Sequence, residues 1–407
     1  MEIGGFIKMK TITKLHLKYK DQPIWVVGTD TSLDSYPDSF LDDKIGITLH
    51  LAHLKFPKAT FRLANELDRI NFLKKTENYS ESNKLFACPL FDKSIEETEQ
   101  IAKECKNVFF YNLKIRQPKE LIPEVIRKIR EEKSIDFIDY GTCLHAGIFS
   151  AILMGGNPIN IIGCSHQTKD GKVHFSKVEK IDKKMRPKCK NFVQGFNKEV
   201  EKWTQYLIKS CSEQGIIVRR FKNYNTMKSF QILMEIKKVF DDLNIPILLH
   251  CGTLLGTYRD GEFIPNDEDD IDLMIMEKDR GYFEQATKKL KESGFSSPSY
   301  FKVNGKIECI GFKKGNVHID IGVLNIKKDI AYTLGNSGAR YYPAYCFEKF
   351  SKLNFNGTDF DIPCEVEDFL KARYGKDWRI PISKKDWYAG ENKKFGNLMT
   401  IKELNEI

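Results

Sequence analysis

The stretch that decides the fold begins His250-Cys251-Gly252-Thr253-Leu254-Leu255-Gly256-Thr257-Tyr258-Arg259. It continues through Phe263-Ile264-Pro265-Asn266-Asp267-Glu268-Asp269-Asp270-Ile271-Asp272-Leu273-Met274-Ile275. Just before it, Ile247-Leu248-Leu249 reads as a short strand leading into the Gly252-Thr253 turn. Glycine there lets backbone amides approach an anion, and the helix that follows aims its N-terminus at a phosphate. The acidic run then enters an apolar strand. In Asp270-Ile271-Asp272 the two carboxylates lie two residues apart, so on a strand they point to the same face. Two carboxylates on one face make an open, hard-oxygen site suited to Mg²⁺ or Mn²⁺.

A third acid completes the pattern. Val317-His318-Ile319-Asp320-Ile321-Gly322-Val323 is another alternating strand and offers Asp320. Three such carboxylates can activate a hydroxyl and clamp a transferring phosphoryl group. An isolated Asp-x-Asp would be read as a solvated turn. Here the acids abut apolar strand residues and follow a glycine turn, and that context favours the catalytic reading.

These residues carry a resemblance. Residues 226 to 385 resemble the LicD family, which includes the fukutin-related proteins. The matching segments are the Gly-Thr-Leu-Leu-Gly-x-x-Arg turn from Gly252 to Arg259, Phe263-Ile264-Pro265, Ile319-Asp320-Ile321, and Ile362-Pro363-Cys364-Glu365 with Phe369-Leu370-Lys371-Ala372-Arg373-Tyr374-Gly375-Lys376-Asp377-Trp378. The resemblance implies a nucleotidyltransferase-like fold. It also implies transfer of a phospho-substituent, such as phosphocholine or an alditol phosphate, from a CDP-linked donor to a sugar hydroxyl, with CMP leaving. One departure stands out: the family's Trp-Asp-x-Asp-x-Asp is replaced by Asn266-Asp267-Glu268-Asp269-Asp270, one residue longer, which leaves open which upstream acid joins the site. Asp270 and Asp272 are the expected metal ligands, with Asp320 as third ligand or general base. Gly252 and Thr253 are expected to line the substrate site. Arg259, Arg340 and Arg373 are candidate phosphate binders, with a surface salt bridge as the competing reading for each.

The first half alternates strand and helix signals, which favours a mostly parallel α/β domain. The strands are read at Pro23–Val27, Lys44–Leu49, Asn107–Tyr111, Ser134–Ile138 and Pro158–Gly163, with an apolar helix from His145 to Met154. An amphipathic helix follows from Asn197 to Ser212, then a last strand at Ile216–Val218. The charged segment Arg219 to Asn225 reads as a linker, and a second amphipathic helix begins near Thr226.

Gly28, Thr29 and Ser32 follow a buried strand and read as a phosphate- or nucleotide-binding turn. With Gly141-Thr142 before a helix, Gly163-Cys164-Ser165-His166, and His174-x4-Glu179, they resemble sialyltransferase motifs. The same stretch is compatible with Rossmann-like domains related to hydroxymethylpterin diphosphokinase. The resemblance implies binding of a cytidine nucleotide sugar at Gly28, Thr29, Ser32 and Thr142. His174, or else His166 or His145, would be the general base. A structural or acceptor-binding role for this half stays open.

The sequence thus predicts an α/β, Rossmann-like domain over residues 1–222 and an α+β, nucleotidyltransferase-like domain over 223–407. Composition narrows the rest. With 41% hydrophobic residues among 407, the chain has material for buried cores. No apolar run is long enough to span a bilayer, and the first residues do not read as a signal peptide. Ten cysteines without a Cys-x-x-Cys pair argue for free thiols in a reducing cytoplasm rather than disulfides or zinc. The net charge of +9 is dispersed, which argues against nucleic acid. Lysine-rich faces would permit peripheral contact with an anionic membrane.

The leading expectation is a bifunctional transferase of surface-glycan assembly. It would use a CDP-linked donor, a CMP-sugar and a glycan or glycolipid acceptor. Two alternatives remain: a nucleotidyltransferase that adds a nucleoside monophosphate to a hydroxyl, and an inactive glycan-binding scaffold.

Overall fold

A computed structural model of the chain describes residues 10–64, 84–87, 108–115, 117–139, 142–164, 193–336, 338–382 and 397–406. The chain divides into two compact units, Met1–Tyr224 and Asn225–Ile407.

In the first unit the strands are β1 (Ile24–Val27), β2 (Ile45–Leu49), β3 (Phe61–Ala64), β4 (Lys84–Ala87) and β5 (Val108–Phe110). There follow β6 (Asn112–Ile115), α1 (Ile122–Glu131), β7 (Asp136–Asp139), α2 (Cys143–Leu153), β8 (Ile159–Ile162), α3 (Val193–Glu213) and β9 (Val218–Arg220). Seven of these strands form one sheet in the order β5-β4-β3-β2-β1-β8-β9. Every neighbouring pair in it is parallel. A separate parallel pair joins β6 and β7.

All four residues of β1 are buried, as are all four of β8. Such continuous apolar runs belong to strands covered on both faces. Helix α2 is buried along its whole length. Gly147 lets it lie close to the sheet, because a Cβ there would stand 2.7 Å from Val26 Cγ1 and 3.0 Å from Leu49 Cδ2.

The strand order reverses at β1. Strands β2 to β5 build outward on one side, and β8 then takes the other flank. At that reversal the turns after β1 and β8 interlock. A Cβ on Gly28 would collide with the Gly163 carbonyl and Cys164 Sγ.

The segment read as a linker is partly strand. Val218–Arg220 is β9, and the next helix starts at Tyr224. Two arginines are tolerated because β9 is an edge strand, and Arg220 is held by Glu201 at 2.7 Å and by the Cys164 carbonyl.

The second unit contains α4 (from Tyr224 to Asp242), β10 (Leu248–Leu249), α5 (Cys251–Arg259), β11 (Asp270–Met276), α6 (Phe283–Glu292), β12 (Ser299–Val303), β13 (Lys306–Lys314) and β14 (Val317–Lys327). It continues with β15 (Ile330–Gly335), β16 (Gly338–Pro343), β17 (Phe350–Phe355), β18 (Thr358–Pro363), α7 (Val366–Tyr374), β19 (Leu398–Met399) and α8 (Ile401–Glu406). The sheet is mixed and runs β17-β18-β10-β11-β14-β15-β16-β19, with β13 also on β14 and β12 on β13. Its centre is the parallel pair β11 and β14. Alternation decides which side is which. Ile271, Leu273 and Ile275 of β11 and Val317, Ile319 and Ile321 of β14 are buried. The intervening Asp270, Asp272 and Asp320 fall on the opposite face.

Among the described residues, no helix is long and apolar enough to cross a membrane.

Candidate active site

Asp270, Asp272 and Asp320 come together. Each offers a carboxylate oxygen, and these oxygens all lie within 4.8 Å of one another. The register explains it: Asp272 stands opposite Asp320 on the two parallel strands, and Asp270 stands opposite His318.

The turn from His250 to Thr253 holds Asp272 at three points. Its carbonyl accepts from the His250 N–H at 3.1 Å. Its own N–H donates to Thr253 Oγ1 at 2.9 Å. Its Oδ2 accepts from the Gly252 N–H at 3.0 Å. Gly252 and Thr253 therefore position an acid, and Thr253 is itself buried. Gly256 serves the same turn. A Cβ there would stand 2.6 Å from the Glu262 carbonyl oxygen and 2.8 Å from the Ile264 nitrogen, so only glycine lets α5 lie against the returning chain.

Burial pushes the Asp272 carboxyl well above its ordinary value, and the neighbouring Cys251 and Asp270 add to the rise. Burial drives His250 the other way, to about 4, so its imidazole is neutral at pH 7.

Beside the acids lies a cationic side. Arg373 projects from α7, with Nη2 at 3.6 Å from Cys251 Sγ. Its Nε and Nη1 are shut off from solvent and have no hydrogen-bond partner among the described residues. Arg340, on β16, is half-buried. Burial lowers its pKa, and the charge of Arg373 lowers it further. Two guanidinium groups that repel each other across a partly desolvated space are suited to an anion between them. Arg259 is engaged elsewhere: it pairs with Asp260 at 2.7 Å and donates to the Trp378 carbonyl at 3.4 Å.

Three residues of this region were not legible as site residues. Gly311 on β13 pairs with Asp320, and a Cβ there would come within 3.0 Å of Asp320 Oδ1. His250 and Cys251 lie at the start of α5, against Asp272 and Arg373. The period-two pattern of Lys306–Lys314 signals the strand, but its pairing with Asp320 depends on long-range register.

The first unit places its expected residues differently. The Gly28 N–H donates to the Ile162 carbonyl at 2.9 Å, and the Asp30 N–H to the Gly163 carbonyl at 3.0 Å. Ser32 donates its N–H to Asp30 Oδ1 at 2.9 Å. Thr29 between them is half-buried. Thr142 caps α2, its Oγ1 accepting from the Leu144 N–H. His145 is fully buried, with Nε2 at 3.1 Å from Thr204 Oγ1. His174 and His166 lie outside the described residues.

Against known proteins, residues 244–365 match the LicD/FKTN/FKRP family, nucleotidyltransferase domain. This part of the chain, which carries Asp270, Asp272 and Asp320, is a domain of that family. The chain is 28% identical over 223 residues to ribitol-5-phosphate transferase FKTN of Mus musculus, covering 53% of this chain and 46% of that protein. It is also 28% identical over 184 residues to ribitol-5-phosphate transferase FKTN of Homo sapiens, covering 44% of this chain and 39% of that protein. The match therefore spans less than half the length of these curated relatives. Among solved structures, ANT(2")-Ia in complex with adenylyl-2"-tobramycin is similar over 26% of this chain and 55% of that one, with 17% identity and a TM-score of 0.20.

Proposed function

We propose that the second unit transfers a phospho-substituent, of the phosphocholine or alditol-phosphate type, from a CDP-linked donor to a glycan hydroxyl. The observation that carries this reading is the convergence of Asp270, Asp272 and Asp320 within a LicD/FKTN/FKRP domain. The two curated relatives named above are ribitol-5-phosphate transferases, which supports an alditol phosphate as the group moved.

The donor set is all oxygen and compact, with Asp272 raised first by burial and then by Cys251 and Asp270, and it fits a hard divalent cation. Asp270, Asp272 and Asp320 would hold Mg²⁺ or Mn²⁺. A divalent ion at such a site supplies charge neutralisation to the phosphoryl oxygens. Arg340 and Arg373 would bind the donor's phosphates. Asp320, the most open of the three acids, would act as third ligand or accept the proton of the attacking hydroxyl. The hydroxyl oxygen bonds to phosphorus as the bond to CMP breaks.

The first unit is proposed as a Rossmann-like domain, supported by its parallel order and by the reversal at β1 and β8, where such folds place ligands. A CMP-sugar glycosyltransferase activity is the proposal attached to it. The acceptor would be a glycan or glycolipid of surface-polysaccharide assembly, in the cytoplasm or at the membrane's inner face.

Product identity tests the main reading. Incubation with CDP-ribitol, CDP-glycerol or CDP-choline and a glycan acceptor should release CMP and yield an acceptor heavier by the phospho-substituent. Pyrophosphate release from CTP with a nucleotide-bearing acceptor would instead establish a nucleotidyltransferase.

A further inference from the structure

Three described cysteines are partly open, namely Cys251, Cys309 and Cys364, while Cys143, Cys164, Cys211 and Cys346 are buried. Cys251 stands apart by its surroundings. Its Sγ is 3.6 Å from Arg373 Nη2 and 3.4 Å from His250 Nδ1. The other two donors of that guanidinium, Nε and Nη1, are shielded from water and unmatched among the described residues. A thiol and a half-buried guanidinium with two unmatched nitrogens thus share one recess. The backbone of Cys251 is held at φ +38, in the left-handed region, so its side chain is fixed by the fold rather than by local preference.

We propose that Cys251 is a thiol switch, forming a mixed disulfide with a small anionic disulfide whose carboxylates the Arg373 recess accepts, and so closing the anion side of the site. This rests on the reading of that face as the donor-phosphate side. In the exchange the Cys251 sulfur attacks one sulfur of the incoming disulfide. The new S–S bond forms as the old one breaks, and the departing sulfur leaves with the electron pair and is protonated by the proton Cys251 gives up. The Cys251 sulfur is oxidised and the departing sulfur reduced. A free thiol reverses the step. The adduct then occupies space and charge that a phosphate would need, while the three aspartates are untouched.

The test uses the full chain with oxidised glutathione as probe. Peptide mapping should find Cys251 modified about tenfold faster than Cys309 or Cys364. Arg373→Gln should slow that reaction about fivefold by removing the cation that attracts the anionic disulfide. Calorimetry with Mn²⁺ should show CDP binding by the reduced protein, its loss on modification and its return with dithiothreitol. Cys251→Ser should bind CDP equally before and after treatment. Faster modification of Cys309 or Cys364, or undiminished CDP binding by the Cys251 adduct, overturns the proposal. Should the reduced protein bind pyrophosphate but no CDP, the donor reading fails separately. The switch is then upheld by loss of pyrophosphate on modification and overturned by its retention.

Discussion

Asp272 and Asp320 face each other across the parallel pair β11 and β14, with no residue between them in the ladder. Burial raises the Asp272 carboxyl well above its ordinary value, and the neighbouring Cys251 and Asp270 raise it further, so its charge is costly to keep. Function and stability therefore pull in opposite directions here. Asp272→Asn removes the charge and keeps the shape. It should abolish Mn²⁺ binding and lower turnover by about a thousandfold or more. The metal-free protein should gain about 1 kcal/mol. Urea denaturation with and without Mn²⁺ checks both signs together. An equal loss of stability in metal-free protein would mean that Asp272 is held by favourable contacts alone.

The two glycines of the turn separate folding from catalysis. A Cβ on Gly256 meets backbone at 2.6 Å and 2.8 Å, so Gly256→Ala should cost about 3 kcal/mol. A Cβ on Gly252 finds Asp267 Oδ2 at 3.4 Å and Asp272 Oδ2 at 3.6 Å, ordinary contact distances. Gly252→Ala should fold normally yet lose about tenfold in turnover by setting a methyl group against the Asp267 and Asp272 carboxylates, where a substrate oxygen would otherwise lie. Thermal melts and initial rates on the pair distinguish the two roles.

His250 gives a pH dependence with a definite sign. Burial lowers its pKa from 6.5 to about 4. Between those values the unfolded chain binds a proton that the folded chain refuses, so stability falls as pH drops from 6.5 and levels off below about 4. The full effect is on the order of 3 kcal/mol. Asp272, raised by burial, works in the opposite sense over part of the same range. The difference between wild type and His250→Gln is therefore the quantity to follow. Denaturation midpoints at pH 7 and pH 4.5 should lie closer together in the variant than in wild type.

Arg373 carries donors that nothing described satisfies. Arg373→Gln should leave stability unchanged or improved while weakening donor binding by about thirtyfold, the equivalent of about 2 kcal/mol. Calorimetric titration with CDP and Mn²⁺ measures the second effect and a melt the first. Equal affinity in the variant would move the donor's phosphates away from this recess.

How much of this was legible depends on the range of the interaction involved. Asp270 and Asp272 share a face because strand geometry has a period of two, and that needs only three residues of sequence. Asp320 could be placed on a strand for the same reason. That it stands opposite Asp272 follows from the β11–β14 register, which sequence spacing does not set. Thr253 and Gly252 were legible as a turn, but their use as struts for Asp272 is a tertiary fact. Gly311 and Cys251 carried no local signal at all, since their roles come from β14 and α7. Arg219 and Arg220 read as a linker because charge usually marks one, whereas an ion pair with Glu201 lets Arg220 sit in an edge strand. Strand β3 was missed for a similar reason: Arg62, nearly fully buried, breaks its apolar run.

The proposed role of these three aspartates is transfer from a CDP-linked donor. The direct measurement is CMP release from CDP-ribitol, CDP-glycerol, CDP-choline, CDP-ethanolamine and CMP-sialic acid, with Mg²⁺ or Mn²⁺ and a mixed glycan acceptor. Wild type is run beside the Asp270→Ala/Asp272→Ala double variant. Wild type should give metal-dependent CMP release from at least one CDP-linked donor, lost in the double variant while the fold is retained. Release from a CDP-linked donor that persists undiminished in the double variant would contradict that role.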